Sequence, residues 1–165
     1  MIATVYTDGA CSGNGRHDAE GGFGVFWGNY HENNLHGPLP EDERHTNNRA
    51  EYTAAIVAIQ QAIDDYYDTI IIRTDSDLLI KTMDIYIDQW KENNWTNSRG
   101  MPVRNQDLIE QLDYMRTRRI DVEFEHVPGH SGHRGNEIAD LFARRGAQGK
   151  TLGDYHSYVP IEFDI

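Results

Sequence analysis

A chain of 165 residues and 18.9 kDa has room for one domain of ordinary size with a sizeable core, and little room for a second. With 38% apolar and 25% charged residues, a mean hydropathy of −0.69 and no apolar run near the roughly 20 residues that span a bilayer, the composition excludes a disordered chain and a membrane-embedded one. Fifteen Lys and Arg against 27 Asp and Glu give a net charge of −12, so the whole molecule repels nucleic acid and anionic membrane at long range, and any polyanion must be held locally.

The deficit is uneven. Between residues 51 and 80 Arg73 stands alone against Glu51, Asp64, Asp65, Asp68, Asp75 and Asp77, whereas between 81 and 105 Lys81, Lys91, Arg99 and Arg104 outnumber Asp84, Asp88 and Glu92. The first residues, Met1 to Tyr6, carry no basic segment and reach Asp8 too soon for a secretory signal. The single Cys11 excludes an internal disulfide framework and suits a reducing compartment. The expected address is intracellular, cytoplasmic or nuclear, without secretion and without a membrane partner.

In chain order, Ile2 to Thr7 and Gly22 to Trp27 are β-rich runs separated by a glycine-laden turn, and a weaker run follows around Asn33 to Leu39, together an antiparallel meander. From Arg49 to about Tyr66, Ala50, Ala54, Val57, Ala58, Ala62 and Tyr66 recur at helical spacing. Thr69 to Thr74 reads as a buried strand ending at Asp75, so a helix and strand follow the meander, the pattern of an α/β layer on a mixed sheet. Leu78 to Ile87 predicts a helix, Asp88 to Asn93 a short one, and Asn94 to Arg104 an irregular stretch. Asn105 to Arg118 is amphipathic through Leu108, Leu112 and Met115, and Ile120 to Val127 alternates as a strand with one wet face. Pro128 to His133 is a loop, and Asn136 to Arg145 a last helix with Ile138, Leu141 and Phe142.

Four carboxylates stand out by position: Asp8 at the end of the first strand segment, Asp75 at the end of the Ile-rich strand, Glu51 in the first turn of the long helix and Asp140 in the last helix. If the two strands are neighbours, their carboxylates share a sheet edge to which the two helices can bring the others, and such a cluster needs hard divalent cations, Mg²⁺ or Mn²⁺. Each residue alone has a plainer reading. Asp8-Gly9 is a turn pair, Asp75 a cap for the next helix, Asn48-Arg49-Ala50-Glu51 a capping box, and Asp140 a solvated helix face. His126, His130 and His133 have spacings that also occur in zinc sites, although no fourth ligand is evident and His126 falls on a strand, where it is expected to pack.

The words around the carboxylates are Tyr6-Thr7-Asp8-Gly9-Ala10-Cys11-Ser12-Gly13-Asn14-Gly15, Thr46-Asn47-Asn48-Arg49-Ala50-Glu51, Thr74-Asp75-Ser76, and His126-Val127-Pro128-Gly129-His130-Ser131-Gly132-His133 followed by Gly135-Asn136-Glu137-Ile138-Ala139-Asp140. With these the sequence resembles type 1 ribonuclease H, in order from about residue 3 to residue 147, and above all the catalytic domain of the cellular enzymes.

The resemblance implies an α/β ribonuclease H-like fold, a five-stranded mixed sheet of antiparallel meander plus two parallel strands flanked by helices. It implies a catalytic domain over residues 1–147 and a tail over 148–165. The implied activity is endonucleolytic hydrolysis of the RNA strand of an RNA–DNA hybrid with two Mg²⁺ ions, Mn²⁺ being an alternative, by a monomer that leaves 3′-hydroxyl and 5′-phosphate ends. Asp8, Glu51, Asp75 and Asp140 match the family's metal-binding carboxylates, and His130 the loop histidine associated with proton transfer or product release. Asn14, Asn47 and Asn48 match contacts to RNA sugars, and Arg44, Thr46 and Asn105 the pocket for a phosphate of the DNA strand. Thr46 and Asn47 can at the same time simply begin the helix. The segment Tyr86 to Trp95, with Ser98, matches the helix and basic protrusion that hold DNA. Trp90 and Trp95 can stack on deoxyriboses or anchor the core, Tyr86 stands where Trp is common, and Glu92 with Asp84 and Asp88 dilutes the positive charge. The competing readings are an inactive nucleic-acid-binding module of the same fold and another two-metal nuclease or integrase of the wider superfamily.

Overall fold

The computed structural model describes residues 1–153 and joins five strands in one sheet of order β3-β2-β1-β4-β5. β1 (Ile2–Ser12), β2 (Glu20–Phe26) and β3 (Leu35–Pro38) form the antiparallel meander, and β4 (Thr69–Thr74) and β5 (Asp121–His126) extend it in parallel. Helix α1 (Asn47–Asp64) lies against the face that carries Gly9, and α5 (Arg134–Ala147) against the opposite face, which carries Gly22. Val5, Phe23, Ile70 and Ile72 of the sheet, Ile56 and Ile59 of α1, and Ile109 and Leu112 of α4 (Gln106–Arg118) form the core.

β1 pairs with β4 only from Ile2 to Tyr6, whereas it stays paired with β2 from Tyr6 to Ser12. Beyond Tyr6 one side of β1 is therefore open, and Asp8 sits in that open half, within the strand and not at its end or in a turn. Gly9 and Ala10 have little strand propensity of their own; the pairing with β2 overrides it.

Several boundaries differ from the sequence reading for local reasons. β3 starts only at Leu35 because the Asn34 side chain is committed to the turn, its Oδ1 accepting from the Trp27 amide at 2.8 Å and its Nδ2 donating to the Gly28 carbonyl at 2.7 Å. α1 ends at Asp64, not Tyr66: the amides of Asp65, Tyr66 and Tyr67 turn back onto Gln61, Ile63 and Ala62, and Tyr66 takes the left-handed position (φ 63°) with 88% of its surface exposed. The helix expected over Leu78 to Ile87 is α2 (Asp77–Lys81), a π-helical turn (Thr82–Tyr86) and then α3 (Ile87–Glu92). The wide turn is held by Tyr52, whose hydroxyl meets Thr82 Oγ1 at 3.0 Å, and by Arg116, which donates to the Met83 carbonyl at 2.7 Å.

α5 begins two residues earlier than expected and packs through Ala139, Ala143 and Gly146, while Leu141 is 36% exposed. The small residues are needed because the backbones nearly touch: a Cβ on Gly22 would fall 2.0 Å from the Ala147 nitrogen. His126, expected to pack, is exposed at the last position of an edge strand, and Val127 takes the buried place instead.

After α5 the chain crosses to the edge strand, where Leu152 exchanges backbone hydrogen bonds of 2.9 and 3.2 Å with His36, and the His36 ring meets the Lys150 carbonyl at 3.1 Å. Tyr155, Tyr158, Pro160, Ile161 and Phe163 of the tail expected over 148–165 lie outside the described residues. Removing residues 150–165 should lower Tm by about 4–8 °C, the worth of two backbone hydrogen bonds at ~1 kcal/mol each, and leave the rest of the fold in place. A melting curve that does not move would show that this bridge adds no stability.

Candidate active site

At the open end of the sheet, ligand atoms of Asp8, Glu51 and Asp75 all lie within 4.8 Å of one another. Three elements supply them: Asp8 from the middle of β1, Asp75 from the residue after β4, and Glu51 from the second turn of α1. The plainer readings of these residues give way to other partners. Thr46, not Asn48, caps α1, its Oγ1 accepting from the Arg49 amide at 3.1 Å, and Ser76, not Asp75, caps α2, its Oγ accepting from Leu79 at 3.1 Å. Glu51 and Asp75 are thus free of capping duty.

Burial in the presence of like charge marks the cluster. Asp8 is 4% exposed, and its carboxyl is pushed up to about 7, first by burial and then by the charges of Asp75 and Asp140, against the opposing hydrogen bonds from Glu51 and the Gly9 amide. Glu51 is pushed well above the usual carboxylate range, again by burial first and then by Asp8. One of its oxygens, Oε2, is buried without a hydrogen-bond partner among the described residues. Crowded carboxylates, a raised proton affinity and an unpartnered buried oxygen together fit a divalent cation with oxygen ligands.

Asp140 is not among the three that converge. It is half-buried on α5 and bonded at 3.1 Å to Arg144 one turn on, although its charge still reaches Asp8. His130 lies in the exposed β5–α5 loop with a left-handed backbone (φ 53°). His133 instead packs its ring 5.4 Å from Tyr6, and His126 ends β5, so the three histidines are used separately.

Beside the cluster, Asn14, Arg44, Thr46, Asn47, Asn48 and Asn105 line one groove of about 620 Å³ at the N-terminal ends of α1 and α4. Asn14 Oδ1 accepts from the Asn47 amide at 2.9 Å and ties the β1–β2 turn to the helix. Two groove residues escaped the sequence reading. Arg104 precedes Asn105 and brings a second guanidinium, and Arg49 binds Asp107 (2.8 and 3.0 Å), Glu43 (3.2 Å) and the Asn105 side chain (3.2 Å), which fixes the groove wall. Their only sequence signal was adjacency to Asn105 and spacing from Thr46. Tyr86, Trp90 and Ser98 stand apart from this groove. Tyr86 and Trp90 set their rings 5.7 Å apart, Trp90 and Trp95 lean half-buried on the core, and Ser98 is exposed. No helix of the described residues is long and apolar enough to cross a membrane.

The RNase H family model matches residues 2–148. Ribonuclease H1 of Mus musculus is 44% identical over 144 residues, which is 87% of this chain and 50% of that protein, so the chain spans about half the length of the mammalian relative. Ribonuclease H of a Cyanothece strain is 38% identical over 151 residues, 90% of this chain and 91% of that one. Among solved structures, LC9-RNase H1, described as a type 1 RNase H, superposes with a TM-score of 0.73 at 24% identity, covering 94% of this chain and 79% of that chain, a likeness of fold. A match of nearly full length, the same mixed sheet and an acidic cluster at its open end agree, and the chain belongs to the RNase H family.

Proposed function

We propose that this chain is an endoribonuclease that hydrolyses the RNA strand of RNA–DNA hybrids with two divalent cations, Mg²⁺ or Mn²⁺, leaving 3′-hydroxyl and 5′-phosphate ends. The observation that carries the reading is the convergence of Asp8, Glu51 and Asp75 within 4.8 Å in a chain of this family. Asp8, Glu51, Asp75 and Asp140 would hold the cations, Asp140 after release from Arg144. Bound there, divalent cations would supply Lewis acidity, lowering the pKa of water and neutralising charge on the phosphate oxygens and the leaving 3′ oxygen.

The chain's own residues do the rest. Burial and mutual repulsion raise the proton affinity of Asp8 and Glu51, and a cation held by the cluster would offset that repulsion and favour the ionised carboxylates. His130, on the exposed β5–α5 loop, would assist proton transfer or product release. The amides of Asn14, Asn47 and Asn48 read the ribose 2′-hydroxyls, which mark RNA. Arg44, Thr46, Arg104 and Asn105 grip a backbone phosphate at two helix N-termini, where amide groups and guanidiniums both favour an anion. Tyr86, Trp90 and Ser98 hold the DNA strand further along. The same reading takes residues 1–147 as the catalytic unit, 148–165 as an appended tail, and the active form as a monomer working inside the cell.

Labelled RNA–DNA hybrid incubated beside matched RNA and DNA duplexes tests this. Cleavage of the hybrid's RNA strand alone, dependent on Mg²⁺ or Mn²⁺, is expected; no cleavage, or cleavage of the RNA duplex, overturns it. Because the segment 81–105 carries little net charge, KM should respond shallowly to salt, and Glu92→Lys on the exposed end of α3 should lower KM about 2- to 5-fold at low salt. An unchanged KM would remove this segment from the substrate contact.

A further inference from the structure

Among the described residues the Asp75 side chain receives one hydrogen bond, from Asn136 Nδ2 to Asp75 Oδ2 over 3.5 Å, and Asn136 is itself only 2% exposed. Opposite a carboxylate a buried carboxamide has to turn its NH₂ end inward, since its oxygen would set lone pairs against lone pairs. The depth of Asn136 is fixed by its neighbour. Gly135 lies so close to the Tyr6 ring that a Cβ there would fall 2.3 Å from Cε2, and Tyr6 is held in turn by Arg73, which donates to its hydroxyl at 3.1 Å. From the other side Gly129 closes on the same Asp75 oxygen, where a Cβ would come within 2.8 Å of Oδ2. The β5–α5 segment therefore encloses one oxygen of Asp75 and sets the rotation of its carboxylate.

Among the described residues the amide oxygen of Asn136 is buried with no hydrogen-bond partner. A buried polar group left unmade on one side costs stability, so packing alone does not account for an asparagine here. We propose that Asn136 is a positioning residue that orients the Asp75 carboxylate for a divalent cation and couples the His130 loop to the acidic cluster. The inference rests on the reading of Asp75 as a cation ligand given above.

The test is calorimetric titration of Mn²⁺ into the full chain without nucleic acid. Asn136→Ala should weaken Mn²⁺ binding roughly 10-fold, the usual scale for a group that orients a ligand, with Tm in chelator changed by no more than a few degrees. In hybrid cleavage kcat should fall while KM stays within about 2-fold, and excess Mg²⁺ should restore much of the rate. Parent-like Mn²⁺ affinity, or a lowered rate that excess Mg²⁺ does not lift, overturns the proposal and leaves Asn136 a structural residue. If Asn136→Ala does not fold, Asn136→Ser is titrated in its place, and parent-like affinity overturns the proposal equally. Asp75→Asn run in parallel separates two failures. If it binds Mn²⁺ like the parent, the ligand assignment falls and this inference with it; if it loses binding while the Asn136 variant keeps it, only this inference falls.

Discussion

Replacing Asp75 by Asn is expected to cut hybrid cleavage by at least about 100-fold at saturating Mg²⁺ and, in chelator, to raise Tm by about 2–4 °C. The two effects have one cause. Asp75 adds negative charge beside the buried Asp8 and Glu51, and its charge is among the reasons that both resist ionisation. Removing that charge relieves repulsion and at the same time removes a ligand. The pH dependence follows by sign. Asp8 has a folded value of about 7 against 3.8 in a free chain, so between those values the native state binds a proton that the unfolded state has released. Stability in chelator is then fully present below about pH 4 and declines as pH rises through about 7. Divalent cation should flatten the decline, and Asp75→Asn should make it shallower. Melting series from pH 4 to 8 with chelator and with Mg²⁺ check all three; a parent whose Tm in chelator rises over this interval, or an Asp75→Asn enzyme that keeps near-parent turnover, contradicts the cluster.

What could be read in advance depended on how local the determinants are. β4 was legible to the residue because Ile70, Ile71 and Ile72 are bounded by Asp68 and Asp75, and α1 was legible as an element, two residues off at each end, because its apolar spacing is unbroken from Ala50 to Ala62. Glu51, Asp8 and Asp75 were legible as candidates through the words around them, and their meeting follows from parallel pairing of β1 with β4. What was hidden is set by partners distant in sequence. The passage of β1 through Asp8 to Ser12 depends on the register with β2, and the π-helical turn depends on Tyr52 and Arg116. Exposure of Leu141 follows from glycines on β2, and the contact between Asp140 and Arg144 is one of several rotamer choices that spacing alone permits. Arg104 could not be singled out from an irregular stretch until α4 brought it beside Arg44.

Gly9→Ala should be among the most damaging single-methyl changes in the protein. The residue lies next to Asp8 in β1 and directly under the start of α1, where a Cβ would fall 2.4 Å from the Glu51 nitrogen and 2.5 Å from the Ala50 carbonyl carbon. Both are backbone atoms of a helix whose next turns are buried, so no side-chain rotation relieves the clash and α1 has to move away from the strand. Overpacking of this kind costs about 3 kcal/mol, which for a chain of this size is a fall in Tm of about 6–12 °C. The displacement would be borne by Glu51 itself, so the carboxylates would separate and the proton shared with Asp8 would loosen. The variant should therefore lose Mn²⁺ affinity and turnover even at temperatures where it remains folded, and the decline of stability with pH should flatten. Gly9→Ala with parent-like Tm would mean that α1 and β1 do not approach this closely, and a destabilised variant with parent-like Mn²⁺ affinity would mean that the position of Glu51 does not depend on this contact.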